Sequence, residues 1–301
     1  MGIMQDGPRL VLDHITGKDE YSDGDVEEDL LALVSSGNDL EEAVRADDRW
    51  PLLYHFHPRR RNLLDWFPFK RNSSLLEIGA GCGALTGMFC EKVERVTAVE
   101  LSERRAKIIA ARYPSANNLT IFAGRIEDVP AGDGFDYVTL IGVLEYAGRY
   151  ARSTDPYGDL LRQARDSLKP DGTLLLAIEN KLGLKYWAGA PEDHSGKLFQ
   201  GLEGYPDERG FRTFGRQELI DLLNGSGFSE TEFYYPHPDY KMPDRIYSDR
   251  SLPRPGEMGE SSPSYDQERF VLFHEGLAYD NILSNNAFPL MANSFLVVCR
   301  L

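Results

Sequence analysis

Leu75-Leu76-Glu77-Ile78-Gly79-Ala80-Gly81-Cys82-Gly83 runs from an apolar stretch into a glycine-rich turn, and a helical pattern begins near Ala84. Glycines lack the β-carbon that keeps a ligand away from the backbone, and they reach the positive φ angles of a tight turn. The segment therefore reads as a strand-to-helix junction that receives a ligand. Its spacing alone does not choose the ligand, because a related loop cradles the pyrophosphate of dinucleotides. Cys82 reads as a small residue tolerated in the loop.

Outward from this loop, short apolar runs at Leu75 to Ile78, Val96 to Glu100, Leu119 to Phe122, Phe135 to Ile141 and Thr173 to Ile178 alternate with helical patterns at Ala84 to Glu91, Ser102 to Tyr113 and Tyr157 to Leu168. Strands alternating with helices imply a parallel, doubly wound α/β sheet with right-handed crossovers. Ligands of such sheets bind beyond the carboxyl ends of the strands, where the strand order reverses. Glu77, two residues before the first glycine, and Glu100, closing the next strand, are the acids that discriminate. A carboxylate at the second position accepts hydrogen bonds from two ribose hydroxyls, each worth about 1.5 to 3 kcal/mol. Gly124-Arg125-Ile126-Glu127-Asp128 and Ile141-Gly142-Val143-Leu144-Glu145-Tyr146 supply two further strand ends at the same face.

Composition bounds the function. The chain has 301 residues, 42% hydrophobic and 11% aromatic, enough for a globular core with embellishments. A net charge of −15 disfavours a nucleic-acid partner, which needs clustered Lys and Arg, and the basic group Arg59, Arg60, Arg61, Lys70 and Arg71 is short. No apolar run spans a membrane and the first residues lack a signal-peptide core, so a cytoplasmic protein is expected. Three scattered cysteines suit neither a disulfide framework nor a zinc site, and no metal is expected.

Residues 1–68 read as an acidic mobile leader (Asp19, Glu20, Asp23, Asp25, Glu27, Glu28, Asp29) followed by helices, and 69–301 as the ligand-binding domain. Irregular stretches near 181–214 and 236–290 read as substrate or lid insertions.

Leu76 to Thr86, Val96 to Glu100, Gly124 to Asp128, Phe135 to Tyr146 and Leu168-Lys169-Pro170-Asp171-Gly172-Thr173 resemble the successive motifs of the class I S-adenosylmethionine-dependent methyltransferases. The resemblance spans roughly residues 70 to 180 and implies a Rossmann-like seven-stranded sheet whose last strand is antiparallel. It implies S-adenosylmethionine as cofactor, held by Glu77, Gly79, Ala80, Gly81, Gly83, Glu100, Leu101, Gly124, Arg125, Ile126, Glu127, Ile141 and Gly142. Glu77 would lie under the methionine amino group, and Glu127 or Asp128 would meet the adenine amine. Tyr54 and Arg60 would close over the methionine carboxylate, which an Arg grips through two bonds. Glu179 to Gly189, Pro191-Glu192-Asp193-His194, Arg212-Thr213-Phe214 and Phe233 to Lys241 resemble a narrower bacterial group associated with polysaccharide or glycan synthesis.

Methyl transfer from a sulfonium is an in-line displacement, and an alcohol acceptor must also lose a proton. His194, held by a neighbouring carboxylate, and Glu145 are the candidate catalytic groups, with a plain surface histidine as the alternative. Tyr146, Glu179, Asn180, Lys181, Tyr186 and Tyr235 are the candidate substrate contacts; the polar ones could instead cap loops. Tyr186, Trp187, Tyr205, Tyr234 and Tyr235 either stack on a ring or form a small core. The Asn/Asp-Pro-Pro-Tyr type of sequence that grips a base amine is absent after Ile141. The acceptor expected is a sugar, glycan or related small hydroxylated molecule. A nucleoside or aromatic metabolite, or cofactor binding without transfer, remain as alternatives. Oligomeric state stays open, a homodimer included.

Overall fold

A computed structural model describes residues 7–13, 24–37, 39–47, 49–130, 132–150, 153–206, 210–259, 262–264 and 267–301. Asp19, Glu20 and Asp23 of the acidic leader lie outside the described residues. The chain divides into two compact units, one of residues 1–140 and 167–172 and the other of residues 141–166 and 173–301.

The first unit contains β1 (Arg9–Val11), α1 (Val26–Ser35), α2 (Leu40–Ala46), α3 (Trp50–Phe56), β2 (Ser74–Ile78), α4 (Thr86–Lys92), β3 (Arg95–Glu100), α5 (Glu103–Arg112), β4 (Leu119–Ala123) and most of β5 (Phe135–Ile141). Its strands run parallel in the order β1-β4-β3-β2-β5. β2 is buried along its whole length, as its continuous apolar run demands of an interior parallel strand. The chain winds outward from β2 to β3 and β4, then returns to place β5 on the other side of β2. That reversal puts the crevice at the carboxyl end of β2, where Glu77 to Gly83 leave the sheet.

Helix α5 starts at Ser102, whose hydroxyl accepts a hydrogen bond from the Arg105 N–H at 3.2 Å. Helix α1 packs on it through Glu27, Leu30 and Val34, spaced along one face. The carboxylate of Glu27 meets the guanidinium of Arg105 at 2.7 Å, and both side chains are buried. Leu30, Val34, Val44, Leu52, Phe56, Cys82 and Ile108 form one apolar cluster. Cys82 thus fixes the glycine loop to the N-terminal helices by packing, because a small apolar side chain fits there without displacing the loop.

The second unit contains α6 (Ala147–Tyr150), α7 (Pro156–Asp166), most of β6 (Leu168–Glu179), α8 (Leu184–Trp187), α9 (Arg216–Gly225), β7 (Glu230–His237), β8 (Arg245–Ser248), α10 (Glu275–Ser284), α11 (Phe288–Met291) and β9 (Ser294–Arg300). Its strands run antiparallel in the order β6-β9-β7-β8, with Leu176 opposite Val297 and Val297 opposite Phe233. The last strand therefore inserts between two earlier ones, buried from Ser294 to Cys299.

Nine strands stand among the described residues where seven were expected. The additions are β1, parallel to β4, and β8, antiparallel to β7. β1 lies within the stretch read as a mobile leader; three half-exposed residues are too few to show alternation. Helix α10 lies in the stretch read as a substrate or lid insertion. It buries Glu275, Gly276 and Tyr279 while Leu277 faces outward, so its apolar residues do not trace the inward stripe. No described helix is long and apolar enough to cross a membrane.

Removing one partner of a buried ion pair leaves the other charge uncompensated, at a cost of about 3–5 kcal/mol. Glu27→Ala is expected to lower the urea midpoint accordingly, while Glu27→Leu combined with Arg105→Leu recovers most of the loss. An unchanged midpoint in Glu27→Ala would remove this pair from the account of stability.

Candidate functional site

At the carboxyl end of β2 the backbone turns through Gly79, Gly81 and Gly83, all at positive φ (72°, 57° and 78°). The Gly79 and Ala80 N–H groups both donate to the Val99 carbonyl, at 2.9 and 3.0 Å, which ties the turn to β3. Gly83 is needed for packing as well as for its angle: a β-carbon there would stand 2.9 Å from the Tyr113 ring, whose hydroxyl donates to the Gly83 carbonyl at 2.6 Å.

Glu100 ends β3 with its carboxylate buried. One oxygen accepts from the Gly81 N–H at 2.8 Å and the other from the Ser102 N–H at 3.0 Å. Burial raises its pKa, opposed by the charge of Arg105 and by the two backbone N–H groups, with Glu27 raising it further. Each oxygen has two lone-pair positions, so each retains one after its backbone bond. The Gly124 N–H donates to the Glu100 carbonyl at 2.9 Å, bringing the β4 end to the same place.

Glu77 is also buried, with one carboxylate oxygen accepting from the Thr86 hydroxyl at 2.6 Å. Burial pushes its carboxyl up to about 8; the Thr86 bond opposes this, Glu100 adds to it, and the cations of Arg112 and Arg60 oppose it. Arg60 is buried with its guanidinium 4.4 Å from the centre of the Tyr54 ring. Arg112 donates to the carbonyls of His55 (2.8 Å) and Cys82 (3.1 Å). His55, which was not anticipated, lies 3.7 Å from where a Gly81 β-carbon would stand. No motif spacing marks it, since it comes from a helix far from the loop in sequence.

Leu101 exposes 41% of its surface at this strand end. Arg125 and Glu127 are exposed, and the Arg125 N–H donates to the Asp128 carboxylate at 2.7 Å. Asp128 therefore also caps its own turn. Ile141 and Gly142 belong to the second unit, where the Gly142 N–H donates to the Ala177 carbonyl at 3.0 Å.

The second unit gathers a separate group of buried ionisable residues. His194 Nδ1 lies 2.8 Å from Glu192 Oε1, and its Nε2 lies 3.8 Å from Glu145 Oε1, with all three side chains nearly inaccessible. Burial disfavours the imidazolium, but the carboxylates of Glu145 and Glu192 outweigh it and hold the His194 pKa well above the ordinary value. Burial and the nearby charge of Glu179 raise the Glu145 pKa, against the opposing pull of His194. The Tyr146 ring meets the imidazole edge-on at 5.1 Å.

Asp193, adjacent to His194 in sequence, turns instead to two lysines. Lys185 Nζ lies 3.0 Å from Asp193 and 2.7 Å from Asp239. Lys241 Nζ lies 2.9 Å from Asp193 and also bonds Glu179. Lys185, Asp239 and Lys241 were not singled out as site residues, because partners 48 and 54 residues apart in sequence leave no periodic trace.

Other expected contacts stand elsewhere. The Asn180 amide donates to the Leu290 and Ala292 carbonyls and accepts from the Leu182 N–H. Lys181 pairs with Glu218 at 2.7 Å. Tyr186 bonds Asp193 and Tyr235 bonds Asp249, each through its hydroxyl, and both rings are buried like Tyr205, whereas Trp187 is 46% exposed.

Residues 76–174 match a family described as a methyltransferase domain. The chain is 25% identical over 164 residues to ribosomal RNA small subunit methyltransferase A of Fusobacterium nucleatum, covering 54% of this chain and 59% of that protein. It is 31% identical over 102 residues to an uncharacterised methyltransferase of Staphylococcus carnosus, covering 34% and 45%. It thus spans about half the length of these curated relatives. Among solved structures, a chain from the complex between the Haloferax volcanii Trm112 methyltransferase activator and a provisionally assigned methyltransferase aligns with a TM-score of 0.50 at 17% identity, covering 95% of this chain and 99% of that one. That likeness carries the Rossmann-like α/β fold.

A carboxyl whose folded pKa rises from 4.5 to about 8 contributes stability that is fully present below the unfolded value and is lost as pH rises through about 8. Glu77→Gln removes this titration. The unliganded wild type should lose thermal stability relative to Glu77→Gln as pH rises from about 6 to about 9. Parallel melting-temperature curves for the two proteins would show that Glu77 is not the titrating group.

Proposed function

We propose that this chain is an S-adenosylmethionine-dependent methyltransferase acting on a hydroxyl of a sugar, glycan or related small hydroxylated molecule. The observation that carries the donor half is the Glu100 carboxylate, held at the end of β3 by the Gly81 and Ser102 N–H groups with an acceptor position left on each oxygen. Those positions suit the two ribose hydroxyls of the cofactor. Gly79 and Ala80 carry the close backbone approach, and Leu101, Gly124, Arg125, Ile126 and Glu127 take the adenine. Ionised Glu77 pairs with the methionine ammonium, Arg60 beside Tyr54 takes the carboxylate, and Ile141 and Gly142 complete the cofactor set.

In the reaction an acceptor oxygen forms a bond to the methyl carbon as the carbon–sulfur bond breaks. Its electron pair stays on sulfur, giving S-adenosylhomocysteine, and the hydroxyl proton leaves to a base. Glu145 is assigned that base. Burial raises its proton affinity, and one of its oxygens has no hydrogen-bond partner among the described residues. His194, kept as an imidazolium between Glu145 and Glu192, positions Glu145 rather than removing the proton itself. Glu179, Tyr146 and Tyr186 are assigned to the acceptor side with them. The resemblance of Glu179 to Gly189, Pro191 to His194, Arg212 to Phe214 and Phe233 to Lys241 to a bacterial group associated with glycan synthesis supports the hydroxylated acceptor. The net charge of −15 weighs against RNA, the acceptor named for the Fusobacterium relative.

The test is incubation with methyl-labelled cofactor and fractionated acceptors, followed by mass analysis. Label should enter a carbohydrate or small hydroxylated fraction. Glu100→Ala should weaken S-adenosylhomocysteine binding by about 10- to 100-fold, as expected for losing hydrogen bonds to a charged group. Label in RNA would replace the acceptor, and tight cofactor binding without turnover on any fraction would leave a binding protein.

A further inference from the structure

The buried cluster of the second unit contains five carboxyl groups (Glu145, Glu179, Glu192, Asp193 and Asp239) against two ammonium groups (Lys185 and Lys241) and one imidazole (His194). Asp193 and Asp239 are matched by the two lysines, and Glu192 by His194. Glu179 shares Lys241 through its Oε1, which also accepts from the Tyr240 hydroxyl at 3.3 Å, and Glu145 faces only His194; the Oε2 atoms of these two are buried with no hydrogen-bond partner among the described residues. Glu145 exposes 1% of its surface and Glu179 none. Leaving two carboxylate oxygens dry and unpaired is costly unless something positive occupies the space beside them.

His194 faces the same space. One ligand atom each from Glu145, Glu179 and His194 lies within 4.8 Å of the others. Around one ion with bonds of about 2.1 Å, ligand atoms stand roughly 3.0 Å apart when adjacent and roughly 4.2 Å apart when opposite, so the three side chains draw together on binding. The imidazole is oriented for ligation, which requires that the ion displace the Nε2 proton: Nδ1 meets Glu192 at 2.8 Å, the partnership that orients a metal-bound histidine, and Nε2 faces Glu145 at 3.8 Å.

We infer that Glu145, Glu179 and His194 bind a divalent cation of the manganese type, with Glu192 as the carboxylate that orients the histidine. Two carboxylates with one imidazole suit an ion that accepts both oxygen and nitrogen ligands and keeps further positions for oxygen. This goes beyond the absence of cysteine-rich motifs, which excluded only thiolate sites. The binding claim stands on the cluster alone. Its catalytic consequence rests on the proposed hydroxyl acceptor: an ion here lowers the pKa of a coordinated hydroxyl, and Glu145 then acts as ligand in place of base.

The full chain, stripped with chelator, is titrated with Mn2+ while the free-ion electron paramagnetic resonance signal is followed, with no cofactor or acceptor present. One ion per chain is expected. Glu145→Gln and Glu179→Gln, which keep side-chain volume, should each weaken binding at least about tenfold, and Glu192→Gln about tenfold through the histidine. Each variant is checked by circular dichroism and by S-adenosylhomocysteine binding, which should be unchanged. Failure to bind Mn2+, or binding that survives the Glu145→Gln/Glu179→Gln double variant, overturns the site. Either result leaves the methyl-transfer reading standing, since label transfer is measured separately.

Discussion

The Glu100 carboxylate is the constraint around which the first unit is built. It joins the glycine loop after β2 to the start of α5 through the N–H groups of Gly81 and Ser102, and it does so without solvent. A buried carboxylate stays ionised only if its surroundings supply compensation. Here the two N–H groups and the charge of Arg105 supply it, and Arg105 is in turn held by Glu27 of α1. Helix α1 is therefore part of the ligand cradle through Arg105. The packing of Cys82 against α1, α2 and α3 reinforces the same arrangement with apolar contact.

Glu77 follows the opposite logic. It has one hydroxyl partner and a burial that favours the protonated form, so its ionised state awaits a cation. A cradle that combines a carboxylate held by two backbone N–H groups with one held by a single hydroxyl is suited to a ligand carrying hydroxyls at one end and an ammonium at the other. The second unit repeats this contrast among its own residues. Lys185 and Lys241 bridge Asp193 and Asp239, and Lys241 is shared with Glu179, whereas the Oε2 atoms of Glu145 and Glu179 have no hydrogen-bond partner among the described residues.

Much of the first unit was legible because parallel interior strands read as unbroken apolar runs and glycine turns read as positive φ. β2, β3, β4 and β5 lie where their apolar runs lie, and Gly79, Gly81 and Gly83 all adopt the left-handed angles. β1 and α10 were not legible: one is too short for a period, and the other buries Glu275 and Gly276 in place of an apolar stripe. Glu145 and His194 were named separately from strand-end position and residue type. Their approach, and the substitution of Glu192 for Asp193 as the histidine's partner, arise only when residues 145, 179 and 192–194 fold onto one another.

The sequence by itself determined the alternation of strands and helices, the glycine turn, and the acids at the ends of β2 and β3, because each follows from local periodicity or from what a backbone can do at one position. Tertiary structure alone decided which charges are matched. Whether Asn180 serves a ligand or the Leu290 and Ala292 carbonyls, and whether Glu27 is a solvated acid or the anchor of Arg105, depends on contacts between residues far apart in the chain. Those contacts also set the burial that shifts Glu77 and Glu145, and burial is a property no single stretch of sequence possesses.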